Sequence, residues 1–90
     1  MKLTVRIQQR HIDEGKRTYC RECPIALALN EQHPRKGGWW IVCDQAWSIY
    51  CERPYNLSKE AIKFYRSFDN GCAVKPLEFE MDIYILRNKK

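Results

Sequence analysis

Apolar and polar residues alternate cleanly from Lys2 to Gln8: Leu3, Val5 and Ile7 fall on one side, Lys2, Thr4, Arg6 and Gln8 on the other. A period of two marks a half-buried strand. The alternation returns from Leu77 to Ile85, with Leu77, Phe79, Met81, Ile83 and Ile85 inward and Glu78, Glu80 and Asp82 outward. Between Ser58 and Phe68 the period becomes helical: Ala61, Phe64, Tyr65 and Phe68 form an apolar stripe, while Lys59, Lys63 and Arg66 face water. Ser58 is placed to cap this helix, Leu57 to staple onto Ile62, and Asn70-Gly71 to stop it.

Weaker patterns fill the rest. His11 to Lys16 is polar with Gly15 as a stop and predicts a short helical turn. Pro24 suits a first helical turn, where its missing N–H matters least, and the run Ile25-Ala26-Leu27-Ala28-Leu29 carries that helix to about Gln32. His33, Pro34, Arg35, Lys36 and Gly37-Gly38 predict a loop. Trp39–Asp44 and Ala46–Cys51 are rich in aromatic and β-branched residues and predict a hairpin turning near Asp44-Gln45, ended by Pro54 and Asn56.

Lys2 and Arg6 on the first strand complement Glu78, Glu80 and Asp82 on the last, so these two strands are predicted to be neighbours. The order is then β-α-α-β-β-α-β: an α+β domain with helices on one face of a small, mainly antiparallel sheet. Ninety residues make one domain, residues 1–90, with Arg87 to Lys90 as a loose basic tail.

Composition narrows the function classes. No apolar run approaches the roughly eighteen residues that span a bilayer, and no signal peptide is visible, so the expected compartment is cytoplasmic, without a membrane partner. The formal net charge of +5 favours acidic partners: an acidic protein or nucleoprotein complex, a nucleic acid or a nucleotide. Five cysteines cannot all pair within one chain, and free thiols are expected.

Cys20-Arg21-Glu22-Cys23-Pro24 opens three readings. A zinc site needs four ligands, and Cys20 and Cys23 supply half. The other half would have to come from one of Cys43 and Cys51, which lie too far apart on the hairpin to serve together, with His11, His33 or Cys72. A redox pair would draw on a helix N-terminus and Arg21, but no βαβ pattern surrounds it. The favoured reading is structural: Cys23 caps or packs at the helix start and Cys20 is an ordinary thiol. No G-x-S-x-G, H-E-x-x-H or phosphate-cradling glycine loop is present, so neither enzymatic activity nor a cofactor is expected.

Trp39, Trp40, Trp47 and Tyr50 cannot all be core, because neighbouring strand residues face opposite sides. Arg35 and Lys36 directly precede Trp39-Trp40, and an exposed indole beside two cations forms a docking patch. Arg35, Lys36, Trp39 and Trp40, with Lys59, Lys63 and Arg66 of the long helix, are the candidate partner-binding residues.

The framework His11-Ile12, Gly15, Cys20-x-x-Cys23-Pro24-Ile25-Ala26-Leu27-Ala28-Leu29, then Phe68-Asp69-x-Gly71 and Val74-x-Pro76-x-Glu78-Phe79-Glu80, resembles a family of short, mostly uncharacterised proteins of bacteriophages and prophages. The resemblance covers both ends of the chain and not the Trp39–Cys51 hairpin. It brings no activity and no catalytic residue. It implies a small phage accessory protein that binds, and blocks, host or defence machinery. The alternatives are a zinc-stabilised nucleic-acid-binding module built on Cys20 and Cys23, and a thiol-redox protein.

Overall fold

In chain order the protein forms β1 (Lys2–Ile7), α1 (Gln9–Glu14), α2 (Pro24–Gln32), β2 (Trp39–Val42), β3 (Gln45–Ser48), β4 (Tyr55–Asn56), α3 (Lys59–Asp69) and β5 (Leu77–Asp82). The computed structural model describes residues 2–49 and 54–82. The expectations for Tyr50, Cys51, Ile83, Ile85 and the Arg87–Lys90 tail lie outside the described residues.

β1 and β5 are antiparallel neighbours, with Lys2 opposite Asp82, Thr4 opposite Glu80 and Arg6 opposite Glu78. This is the pairing that the outward charges predict. Arg6 Nε lies 2.9 Å from Glu78 Oε1, and Lys2 Nζ lies 3.8 Å from Glu80 and 3.9 Å from Asp82. These groups are mostly exposed, so each pair contributes at most about 1 kcal/mol. The buried set Val5, Ile7, Phe79 and Met81 fixes the register more firmly, because a one-residue slip would turn it to water.

The α+β class stands as predicted, with antiparallel strands and helices packed on one face. Three details differ. The ladders form two sheets, β1-β5 and β2-β3-β4, rather than one. Tyr55–Asn56, predicted only to end the hairpin, is a strand in its own right that pairs with Gln45 and Ala46; two residues are too few to show a period. The hairpin turns at Cys43-Asp44 instead of Asp44-Gln45, so its second strand is Gln45–Ser48 instead of Ala46–Cys51. Both turn residues have positive φ, 54° and 65°. That is the geometry a two-residue hairpin loop needs to match strand twist, usually supplied by glycine. Here Asp44 tolerates it, and its carboxylate is held by Arg66 of α3.

α2 ties the two sheets together. Its start is set by Pro24 and by Cys23, whose sulfur accepts the Ala26 N–H at 3.4 Å. At its far end Gln32 acts like a strand partner for β1: its Oε1 accepts the Arg6 N–H at 2.8 Å and its Nε2 donates to the Arg6 carbonyl at 2.7 Å. Asn30 does the same for β2, accepting the Trp39 N–H at 2.7 Å and donating to the Trp39 carbonyl at 3.4 Å. His33 Nε2 donates to the Thr4 carbonyl at 2.8 Å. The helix buries Ile25, Ala26, Ala28 and Leu29 in one cluster with Val5, Ile7, Trp39, Ile41, Tyr55 and Phe64. α3 is capped as predicted, Ser58 Oγ accepting the Ala61 N–H at 3.2 Å, and it buries Ala61, Phe64 and Phe68. Tyr65, predicted inside, is only half-buried. No helix among the described residues is long and apolar enough to cross a membrane.

Candidate functional site

The Cys20/Cys23 pair divides into two unlike thiols. Cys23 is buried, and burial pushes its pKa up to about 11 against the pull of the Ala26 and Ile25 N–H groups. A thiol held neutral is a poor nucleophile and a poor metal ligand. Cys20 is exposed on the preceding loop, where its carbonyl accepts the Ile41 N–H at 2.9 Å.

The histidines are built into the scaffold. His11 Nδ1 accepts the Gln8 N–H at 2.9 Å, which leaves Nε2 to donate to Glu31 at 3.0 Å. Glu31 also binds Arg10, whose guanidinium is the main cause holding that carboxyl down at about 2. Among the described residues no three His, Cys, Asp or Glu side chains gather as a metal site would require.

The seven candidate binding residues fall into three groups. Trp39 and Arg35 hold the hairpin down. Trp39 is fully buried, its indole N–H donates to the His33 carbonyl at 2.7 Å, and it meets Tyr55 at 5.9 Å between ring centroids. The Arg35 guanidinium lies over both rings, at 4.5 Å and 5.6 Å, and donates to Ser48 Oγ at 3.1 Å. Arg35 is half-buried, so it is the lid of the core rather than a free cation, whereas Lys36 beside it is exposed.

Trp40 is the outward member of the pair. It stands directly across the ladder from Trp47, both half-exposed. Arg21 lies over the Trp40 ring at 4.5 Å and donates to the Gly37 carbonyl at 3.0 Å. Arg21 and Trp47 are members of this surface that sequence reasoning does not assign to it. Trp47 falls on the same face as Trp40 in either register, but with the turn misplaced by one residue it would sit opposite Val42. Arg21 gives no sequence signal, because only the fold brings its loop against β2.

Lys59, Lys63 and Arg66 stand together as predicted. With Ile62, Ser67, Asn70 and Cys72 they line an open groove of about 380 Å³ along α3. Arg66 reaches from this groove to Asp44 at the hairpin tip. Lys59 and Lys63 have no ion-pair partner among the described residues, although they are one helical turn apart. Like charges at that spacing oppose each other by about 0.2–0.5 kcal/mol. The groove offers cations, the apolar side chain of Ile62 and a free exposed thiol at Cys72. Comparison of the chain with family models, curated proteins and solved structures finds no match.

Proposed function

We propose that this is a non-enzymatic binding protein whose acidic partner docks on the α3 groove. The observation that supports the reading is how positive charge is sorted over the surface. On the β1-β5 face Lys2 and Arg6 are each matched by carboxylates, and Arg10 and Lys16 are matched by Glu31 and Glu22. On α3 the repulsion between Lys59 and Lys63 is left standing beside a groove. A partner carrying negative charge relieves that repulsion and gains a concave apolar contact. The resemblance of the sequence framework to small phage proteins supplies the setting: a phage accessory factor, cytoplasmic in the host cell, that occupies and inhibits an acidic host or defence component.

The test is charge reversal with a matched control. Lys59→Glu with Lys63→Glu is compared with Lys16→Glu and Lys75→Glu, which changes net charge equally away from the groove. Binding is read as capture from bacterial lysate and as the salt needed for elution from heparin. The α3 pair should lower the elution salt and abolish capture, and the control pair should do much less. Equal losses in both would show that only net charge matters and would rule out the groove as the docking site. Capture with and without nuclease separates a protein target from one bridged by nucleic acid.

A further inference from the structure

We infer that the outward face of the β2-β3 hairpin is a stacking platform for single-stranded nucleic acid. It is a second site, separate from the α3 groove. On this face Trp40 opposes Trp47 and Val42 opposes Gln45, which in turn opposes Asn56. The two indoles are half-exposed, Val42 is 38 % exposed and the adjoining Ile49 is 54 % exposed, so apolar rings remain in contact with water.

The chemistry around the rings selects the occupant. Among the described residues, the polar side chains that the fold places beside them are the cations Arg21 and Lys36 and the neutral amides Gln45 and Asn56. Arg21 is exposed and lies over the Trp40 ring, its guanidinium carbon 4.5 Å from the ring centroid and one N–H donating to the Gly37 carbonyl. Lys36 is exposed in the same loop. Gln45 and Asn56 bond to each other at 3.0 Å and still present amide groups outward. None of these outward ladder positions carries a carboxylate. Asp44 at the hairpin tip is turned to Arg66. An anionic strand with exposed π faces fits this set: bases stack on indole and on guanidinium planes, and phosphates meet Arg21 and Lys36. Duplex DNA fits poorly, because its bases are already stacked on each other. An acidic peptide satisfies the cations but leaves the rings unstacked.

The Gly37-Gly38 corner lets a strand approach. Both glycines have positive φ, 82° and 79°, and a Cβ at Gly37 would come within 3.0 Å of Ile49 Cγ2, so neither position adds a side chain to this edge of the platform.

The experiment is a titration with (dT)12 at low salt, read by quenching of intrinsic tryptophan fluorescence and by anisotropy of labelled oligonucleotide. Trp47→Ala and Arg21→Ala should each weaken binding at least tenfold with the melting temperature held within a few degrees. Trp40→Phe, which keeps a ring and spares the fold, should weaken it less. A 12-base-pair duplex and a polyglutamate of equal charge should compete poorly. Lys59→Glu with Lys63→Glu should leave the quenching in place, which keeps this site distinct from the groove. The proposal is overturned by any of three results: no quenching and no anisotropy change; binding unaltered by Trp47→Ala and Arg21→Ala; or equal competition by polyglutamate, which marks an anion-binding face without stacking. A dimer in sedimentation that Trp47→Ala dissolves would also overturn it, by assigning the face to a second copy of the chain.

Discussion

Gly15 shows what a single residue does for this fold. Its φ of −68° is open to any residue, so conformational freedom is not the reason for glycine. Space is: an added Cβ would come within 2.7 Å of Pro24 Cδ, 2.8 Å of Pro24 Cγ and 2.9 Å of the His11 carbonyl. Pro24 is a rigid ring at a helix start and cannot swing aside. Gly15→Ala should therefore destabilise the protein by about 1–3 kcal/mol, the usual cost of overpacking, measurable as a lowered denaturant midpoint with unchanged m-value. Cys23 gives a second expectation. Its folded pKa of about 11 exceeds the ordinary 9.0, so the fold favours the neutral thiol. That stability is fully present below pH 9 and is lost as pH rises from 9 through 11. The difference corresponds to about 2–3 kcal/mol. Stability against pH should fall across that window in the parent and fall less steeply in Cys23→Ser, where Tyr65, which burial raises to about 12, still contributes above pH 10. In the native protein iodoacetamide should label Cys20, Cys43 and Cys72 and spare Cys23, as mass spectrometry of the digest would show. His11, Gly15, Cys23 and Pro24 stand out in the sequence as a motif, and their spacing suggests chemistry. In the fold they interlock: Gly15 N–H donates to the His11 carbonyl, Pro24 lies on Gly15, and Cys23 caps the helix that follows.

Elements whose side chains obey one strict period are legible in the amino-acid sequence. The periodicity bounds β1, β5 and α3 to within about two residues wherever their ends are described, and the charges across β1 and β5 identify them as neighbours. The hairpin is legible as a hairpin but not in register, because a positive-φ turn made by Cys43 and Asp44 lacks the glycine that announces it. β4 is illegible because its pairing is written in β3 and not in its own two residues. The stitching by α2 is also hidden, since a polar side chain bonded to backbone leaves no periodic trace. That stitching is testable. Gln32 satisfies both the N–H and the carbonyl of Arg6 on a strand edge. Gln32→Ala should cost about 1–2 kcal/mol, two modest hydrogen bonds at a partly solvated site. It should also leave the β1 edge open to pairing with other chains. A lower thermal midpoint together with concentration-dependent aggregation would report both effects. Gln32→Glu keeps the acceptor and loses the donor, and should fall between the two.

At the scale of the molecule, the cations of β1 are paired with carboxylates of β5, whereas Lys59 and Lys63 of α3 have no ion-pair partner among the described residues. Carboxylates and cations alternate across β1 and β5, while the surplus behind the net charge of +5 includes Lys36 beside the hairpin and Lys59 and Lys63 on α3. The seven binding candidates that the sequence suggests are therefore partly assembled and partly dispersed. Three of them share the α3 groove, because a helix of known period fixes which side chains stand together. Trp39 belongs to the core and Arg35 covers it, because which of two adjacent tryptophans faces inward depends on how the hairpin lies on α2. The central claim is that an acidic partner docks on α3. Backbone amide chemical-shift mapping of the folded protein during titration with a short heparin oligosaccharide tests it most directly, because it reads location as well as affinity. Docking on α3 predicts that shifts begin at residues 59–72 and spare Lys2–Ile7 and Leu77–Asp82, with Lys59→Glu and Lys63→Glu removing them. Shifts centred on the β1-β5 strands, or spread evenly over every cationic residue, would contradict it.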